Sequence, residues 1–334
     1  MGPVLVLVDR GAGATVRRST GALLTLARRV GTPVAVLCGP ADAASLATLG
    51  RFGAATVRTV AGPEVEDHPV AARVEALAQL ARRATPAAVL VASNRTGQEV
   101  AARLAARLES GLVTDAVDVR MTPDGPVAVQ SVLADSYLVE SAVVRGIPVI
   151  TVRTEEVPVE PEPVEPVVRR AEIVFPSSVR AVRRVPRPPT PASGRPDLAT
   201  AAVVVTGGRG VGSRGSFRLV DQLADALGGA AGGSHTATEL GWCPRDAQVD
   251  QIGRVVHPRL YLALGVSGSI RHRAAMQGAG TIVAIDRDPS APIFDIAHLG
   301  VVGDVHKVVL ELLAEIARRR AQPVISTRDL PEGQ

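Results

Sequence analysis

The sequence predicts an α/β protein of two domains, each a mainly parallel sheet flanked by helices, the second of Rossmann-like type. Three observations carry this. Short apolar runs alternate with segments of helical periodicity over the first hundred residues and again after residue 200, the order that buries a parallel sheet between helices. A proline-dense stretch at 184–197, RVPRPPTPASGRPD, divides the two series. In the second series each turn of small residues follows a strand, so all such turns would line the carboxyl edge of one sheet. The expected division is an N-terminal domain over 1–185, a linker over 186–200, a second domain over 201–320 and a frayed tail over 321–334. A chain of 334 residues is long enough for each domain to bury its own core.

Residues 4–8 are a fully apolar strand. Residues 20–30 have helical spacing, with Leu23, Leu24, Leu26, Ala27 and Val30 toward one face and Arg28 and Arg29 outside it. Strand 33–38, helix 41–49, strand 55–60, helix 70–84, strand 87–91 and helix 96–108 follow, the last with Val100, Leu104 and Leu108 four apart. From Asp115 the helical pattern stops. Segments 116–120, 127–133, 138–144 and 148–152 read as strands pairing as hairpins at one sheet edge. In 155–166, EEVPVEPEPVEP, the prolines forbid helix and weaken sheet pairing, so a solvated, extended connection is expected. One more strand is expected at 171–175.

The second series begins with a strand at 201–205 that runs into Thr206-Gly207-Gly208-Arg209-Gly210. An amphipathic helix at 217–227 follows, then a short strand at 228–231 and the turn Gly232-Gly233-Ser234-His235. Strands at 260–264, 281–285 and 301–302 complete the sheet. A closing helix at 305–320 carries Arg318, Arg319 and Arg320 in its last turn, where cations suit the dipole.

Within this series the stretch 264–305 is richest in chemistry. Strand 260–264 enters Gly265-Val266-Ser267-Gly268-Ser269-Ile270, and a helix with its apolar residues on one face is expected next. Backbone N–H groups and the positive end of a helix would converge there. Gly265 and Gly268 let the main chain approach a ligand, and Ser267 and Ser269 add hydroxyls. Strand 281–285 ends in Asp286, whose carboxylate can receive a ribose hydroxyl. The geometry suggests a dinucleotide, although a loop with two glycines also describes a plain tight turn.

Composition excludes more than it assigns. Hydrophobic residues make up 46% of the chain and aromatics only 2%, with Ala and Val dominating, as in buried parallel sheets. The net charge is only +4, and Lys307 is the sole lysine. Arginine dominance could signal phosphate or nucleic-acid binding, but codon bias in a GC-rich genome explains it together with the Ala, Gly, Val and Pro content. The basic residues do not interleave with aromatics as single-strand binding requires. Cys38 and Cys243 fit no metal or redox spacing, and no Ser/His/Asp or Cys/His constellation presents a nucleophile. Because 4–8 is already a strand, no signal or transit peptide is expected, and no apolar run reaches membrane-spanning length. A cytoplasmic location without membrane insertion follows as an expectation.

At this density of motifs the second domain closely resembles the FAD-binding domain of electron transfer flavoprotein alpha subunits. The matching pieces are ASGRPDL and VVVTGGRG within 192–210, the Ser234 turn, QVDQIG at 248–253, GVSGSIRH at 265–272, TIVAIDRDPSAPIF at 281–294 and VVGDVHKVV at 301–309. In the first domain, GQEVAARLAARLESGLVTDAVDV at 97–119 and GIPVITVR at 146–153 are also similar to the family. The resemblance implies one FAD, held mostly by the second domain and covered at its ring by a beta subunit. It implies that Arg209 lies near the flavin ring, that Ser234 binds phosphate, and that Val249, Asp250, Gln251 and Ile252 form the loop at the ring edge. It implies that Ser267, Gly268, Ser269, Ile270, Arg271 and His272 hold the pyrophosphate and ribityl chain, with His272 reaching the pyrimidine edge. Asp286, Asp304 and Val305 would stand beside the adenosine.

Several positions depart from the family pattern. His235 stands where an arginine is usual, exchanging a fixed charge for a titratable imidazole. Ile252 replaces a hydroxyl residue within reach of flavin N5 and cannot donate. Arg271 replaces a glutamine, Asp286 an asparagine and Asp250 a glycine. The flavin potential is therefore expected to be unusual.

Plainer roles stand beside the functional ones. His272 could serve only as a partner at a helix start, and Trp242 is more often structural. His298 and His306 read as surface or packing residues, and His68 and His257 as loop residues. The resemblance implies an alpha subunit that carries electrons from dehydrogenases to a quinone reductase or another acceptor and transforms no substrate. The alternatives are a nitrogen-fixation-type paralogue serving one dehydrogenase and a redox-inactive, nucleotide-binding scaffold. An NAD-dependent dehydrogenase would need a full GxGxxG and a substrate acid–base pair, and the sequence has neither.

Overall fold

β1 (Pro3–Leu7) is the axis of the first unit, buried from Val4 to Leu7 because it lies inside a sheet covered on both faces. Its side chains alternate. Val4 and Val6 enter one core layer with α1 (Arg18–Val30), and Leu5 and Leu7 enter the opposite layer. The computed structural model describes residues 2–11, 15–133, 136–155, 157–182 and 194–321. They belong to two units, Met1–Pro188 and Pro189–Gln334. Residues 183–193, with most of the expected linker, and 322–334 of the expected tail lie outside the described residues.

In chain order β2 (Thr32–Cys38), α2 (Ala43–Arg51), β3 (Thr56–Val60), α3 (Pro63–Asp67), α4 (Pro69–Ala84), β4 (Ala88–Ala92) and α5 (Arg95–Leu108) follow. Then come β5 (Leu112–Thr122), β6 (Gly125–Val132), β7 (Tyr137–Ala142), β8 (Val149–Val152) and β9 (Val167–Arg170). The nine strands form one sheet in the order β7-β6-β5-β8-β4-β1-β2-β3-β9. β5, β6 and β7 pair antiparallel at one edge, as hairpins.

Two expectations for this unit need correction. Segment 148–152 is not part of the hairpins: β8 runs parallel between β4 and β5, with all four residues buried on both faces. The last strand is β9 at Val167–Arg170 and not 171–175. Its side chains are exposed because it pairs only with β3 at the sheet edge, which hid it from a hydrophobic reading. The acidic connection is extended and exposed over 160–165, as expected, and it is also tethered. Arg28 bonds the Glu160 carbonyl at 2.8 Å, the Glu162 and Val164 N–H groups bond Arg51 and Gly50, and Val157 is 1% exposed. The short helix α3 was not foreseen.

The second unit contains β10 (Val203–Gly207), α6 (Arg218–Leu227), β11 (Ala230–Gly233), α7 (His235–Glu239), β12 (Leu260–Leu264), α8 (Ile270–Arg273), β13 (Thr281–Asp286), β14 (Leu299–Val302) and α9 (Val305–Ala321). All five strands are parallel, in the order β11-β10-β12-β13-β14. β10 and β11 begin two residues later than their sequence patterns suggested, so the first glycine of TGGRG closes a strand. The helix expected after Gly268 is a single four-residue turn, α8, because the chain must drop at once to pack Ala275 and Met276 on the sheet. α6 and α9 cover the other face.

Candidate functional site

The strand order of the second unit creates a switch point. The chain leaves β10 toward β11 on one side and returns to β12 on the other, which parts the loops that follow β10 and β12. Those loops are bound tightly to each other at their bases: Gly208 N–H donates to the Leu264 carbonyl at 2.8 Å and Gly210 N–H to the Gly265 carbonyl at 2.9 Å. Glycine is required here. Gly265 has φ +61°, and a Cβ on it would fall 2.6 Å from Gly210 Cα; Gly268 has φ +80°, and its Cβ would fall 2.4 Å from the Ile293 nitrogen. The N–H groups of Ser267, Gly268 and Ser269 find no acceptor among the described residues. A concave run of unpaired backbone donors suits an anion such as a pyrophosphate.

Five expected residues stand directly at or beyond strand ends. Along the carboxyl edge the order is Ser234, Arg209, Ser267 with its loop, Asp286 and Asp304. Five parallel strands about 4.8 Å apart span about 19 Å, a length suited to a long two-ended ligand and not to one nucleotide. Arg209 is exposed at the start of a short 3-10 turn. The Ser234 hydroxyl accepts from Ala237 N–H at 3.3 Å, and its own N–H is bound to the Gly207 carbonyl. Asp286 is buried, with Oδ1 accepting from Asp288 N–H at 3.0 Å.

Asp304 caps α9, accepting from His306 N–H at 2.9 Å and Lys307 N–H at 3.2 Å. Those amides, Lys307 first, hold its carboxyl below the usual range. Val249 and Val305 bury their side chains in the core, and the Val249 N–H donates to the Gly233 carbonyl at 2.8 Å.

The loop at 249–252 is organised by Asp250, which is 1% exposed. Its carboxylate accepts from Ile252 N–H at 3.0 Å, from Gly253 N–H and from Gln248 Nε2 at 2.7 Å. His235 Nδ1 lies 3.6 Å from the same carboxylate, and His235 Nε2 lies 3.2 Å from Glu239. His235 and Asp250 therefore face each other. Gln251 N–H donates to the Arg271 carbonyl at 3.2 Å, tying this loop to α8. Ile252 and Ile270 present bare side chains, 69% and 67% exposed, while Arg271 is also exposed.

His272 differs from its exposed neighbours. It is 3% exposed, and its Nε2 lies 2.8 Å from Tyr261 Oη. Burial lowers its pKa to about 4, with the Val249 backbone and the Asp250 charge offsetting this in part. Its Nδ1 and Thr206 Oγ1 are both buried, the first beside the Val249 backbone and the second beside the Tyr261 hydroxyl.

Sequence reasoning missed Gln248 and Tyr261. Gln248 sat inside the quoted QVDQIG motif. A tyrosine in the apolar run LYLAL was the available signal, since a buried phenol needs a partner. Among the described residues no group of acids, cysteines and histidines could hold a metal, and no helix is long and apolar enough to cross a membrane.

Known proteins give this edge its context. Residues 4–174 match the family model of the electron transfer flavoprotein domain, and residues 197–277 that of the electron transfer flavoprotein FAD-binding domain. The electron transfer flavoprotein subunit alpha of Mycobacterium leprae is 42% identical over 322 residues, 96% of this chain and 100% of the relative. That of Syntrophomonas wolfei is 34% identical, covering 94% and 98%. Protein FixB of Azorhizobium caulinodans is 35% identical, covering 86% and 80%. The chain belongs to the electron transfer flavoprotein alpha-subunit family, and its second unit carries that family's FAD-binding domain.

Proposed function

We propose that this chain works as the FAD-holding half of a heterodimer completed by an electron transfer flavoprotein beta subunit. It takes electrons from dehydrogenases, gives them to a quinone reductase or another acceptor, and transforms no substrate itself. The observation that supports this best is the row of five strand ends on one parallel edge, built around glycines that admit a ligand's backbone-close approach. FAD, when bound, supplies the electron chemistry. The chain's own residues orient it: the unpaired N–H groups of Ser267, Gly268 and Ser269 receive the pyrophosphate, and Asp286 accepts a ribose hydroxyl. Arg209 brings a cation to the ring end, Ser234 a hydroxyl, and Ile252 and Ile270 an apolar face that keeps water from the ring. His235 and Arg271 add charge at the ring edge, and Asp304 and Val305 close the adenosine end.

The partner surface is read from the two edges of the nine-stranded sheet. At β9 the exposed strand carries Arg169 and Arg170, charges that discourage pairing with another chain. At β7 the exposed residues include Tyr137, Leu138 and Val139, with Leu133 and Val144 nearby in sequence and also exposed. An apolar edge of this kind in a stable protein belongs in an interface. The cluster of His235, Gln248 and Asp250 favours, as a second reading, a carrier tuned to one dedicated dehydrogenase.

The test is the visible absorption spectrum of the chain purified with its candidate beta subunit. About one FAD per heterodimer is expected. A folded, colourless complex that takes up no added FAD would overturn the carrier reading in favour of a redox-inactive scaffold.

A further inference from the structure

A cavity of about 350 Å³ lies beside the N-terminus of α6 and shares no residue with those assigned to FAD. Arg214, Gly215, Phe217, Arg218, Asp221 and Trp242 line it. Its volume is at the small end of those that hold ligands. The chain has only four phenylalanines and one tryptophan, and this wall gathers that tryptophan and one of the phenylalanines. Aromatic surface this scarce is concentrated where a flat ligand can use it.

Local folding builds the cavity. Phe217 N–H donates to the Ser213 carbonyl at 3.0 Å and Ser216 N–H to the Ser213 hydroxyl at 3.1 Å, a turn that starts α6 with Arg214 and Arg218 four apart. The Phe217 ring, 4% exposed, fits over the ends of β10 and β11 because Gly207 and Gly233 have no Cβ; one there would fall 2.5 Å and 3.4 Å from it. Trp242 enters from the turn after α7. Gly241, with φ +69°, reverses the chain, and Trp242 N–H closes on the Ala237 carbonyl at 2.9 Å, leaving the side chain half-buried.

The polar groups around this space are nearly all donors. The guanidinium groups of Arg214 and Arg218 and the indole N–H of Trp242 have no partner among the described residues. The one carboxylate, Asp221, is engaged: Arg195 Nη1 lies 2.5 Å from its Oδ1, and the same guanidinium holds Asp225. Arg218 opens α6, where the helix dipole favours an anion and disfavours a cation. Two cations and a helix start thus border one cavity without the negative charge that would balance them.

We propose that this cavity binds a small aromatic carboxylate. The planar pair of carboxylate oxygens matches the guanidinium forks of Arg214 and Arg218, and the ring lies against Phe217 and Trp242. A monoanion suits the site better than a phosphate dianion, since Asp221 brings a negative charge into the same wall. The site does not depend on FAD, so it stands or falls apart from the carrier reading.

The experiment uses the heterodimer, with and without FAD, carrying fluorotryptophan in this chain. The sole tryptophan gives one fluorine signal, assigned by its loss in Trp242→Phe, and benzoate is the probe at constant ionic strength. Benzoate is expected to move that signal saturably at millimolar concentration. Acetate, without the ring, and benzamide, without the charge, should each bind at least about tenfold more weakly. Arg214→Gln and Arg218→Gln should each weaken benzoate by about tenfold, the scale of one hydrogen bond to a charged group, with circular dichroism unchanged. No saturable shift with benzoate overturns the proposal. Acetate or benzamide binding as tightly as benzoate also overturns it, because the ring or the cations then have no role. So does a benzoate affinity that neither arginine variant changes. Should an arginine variant not fold, the native ligand series decides alone. If the heterodimer holds no FAD, the carrier reading fails, while the benzoate titration still judges the cavity.

Discussion

At the scale of single residues, the second unit holds its chemistry in groups that are buried and spoken for. Asp250 satisfies two backbone N–H groups and the Gln248 amide from inside the protein. Asp250→Ala would leave these donors unpaired and should lower unfolding free energy by about 2 kcal/mol, whereas Asp250→Asn keeps an acceptor and should lose less than half of that. Urea denaturation of both variants checks the order; equal losses would mean that the charge, not the acceptor geometry, holds the loop. His272 makes a pH prediction. Its folded pKa is depressed to about 4 from an ordinary 6.5, so the unfolded chain takes up a proton first as pH falls. Its contribution is fully present above pH 6.5 and is lost as pH falls through that value toward 4, a decline of up to about 3 kcal/mol. In His272→Gln the slope of stability against pH should flatten within that window, which measurements of unfolding at pH 7, 5.5 and 4.5 would show.

At the scale of elements, the loops after β10 and β12 decide whether the edge is a site or merely a sheet end. Gly268 and Gly241 both have positive φ, +80° and +69°, but a Cβ on Gly241 would meet nothing within 4 Å while one on Gly268 would strike the Ile293 backbone. Gly241→Ala should therefore cost about 1–2 kcal/mol of backbone strain alone. Gly268→Ala should cost more and should release FAD, because the Ser267–Ile293 link that shapes the loop must move. Melting curves and flavin retention of the two variants separate strain from site geometry. A Gly268→Ala protein that keeps FAD with native affinity would show that the loop does not touch the cofactor.

At the scale of the whole molecule, most of the α/β plan was legible because buried parallel strands such as β1, β4 and β12 are short apolar runs between amphipathic helices. The strand-end residues of the site were legible for the same reason: small and polar residues interrupt those runs. What stayed hidden depends on partners far away in the chain. Apolar content could not tell β8 from a hairpin strand, because only its neighbours β4 and β5 make it parallel. The tethering of the exposed Glu/Pro connection was hidden because Arg28 and Thr25, which hold it, lie more than a hundred residues earlier. Tyr261 and His272 meet because a strand and the turn after it fold over one another, a contact that no periodicity encodes. The same reasoning applies to the β7 edge, where exposure makes sense only against a partner. Leu138 is 72% exposed on that strand and contributes little to the chain's own core. Leu138→Glu should thus leave the chain folded, with helix and sheet signals unchanged, and weaken heterodimer formation by tenfold or more, since a buried charge in an interface costs several kcal/mol. Analytical ultracentrifugation of the variant with its beta subunit reads this directly. A variant that pairs as well as the native chain would move the partner surface away from β7, and one that fails to fold would show that Leu138 serves the chain itself.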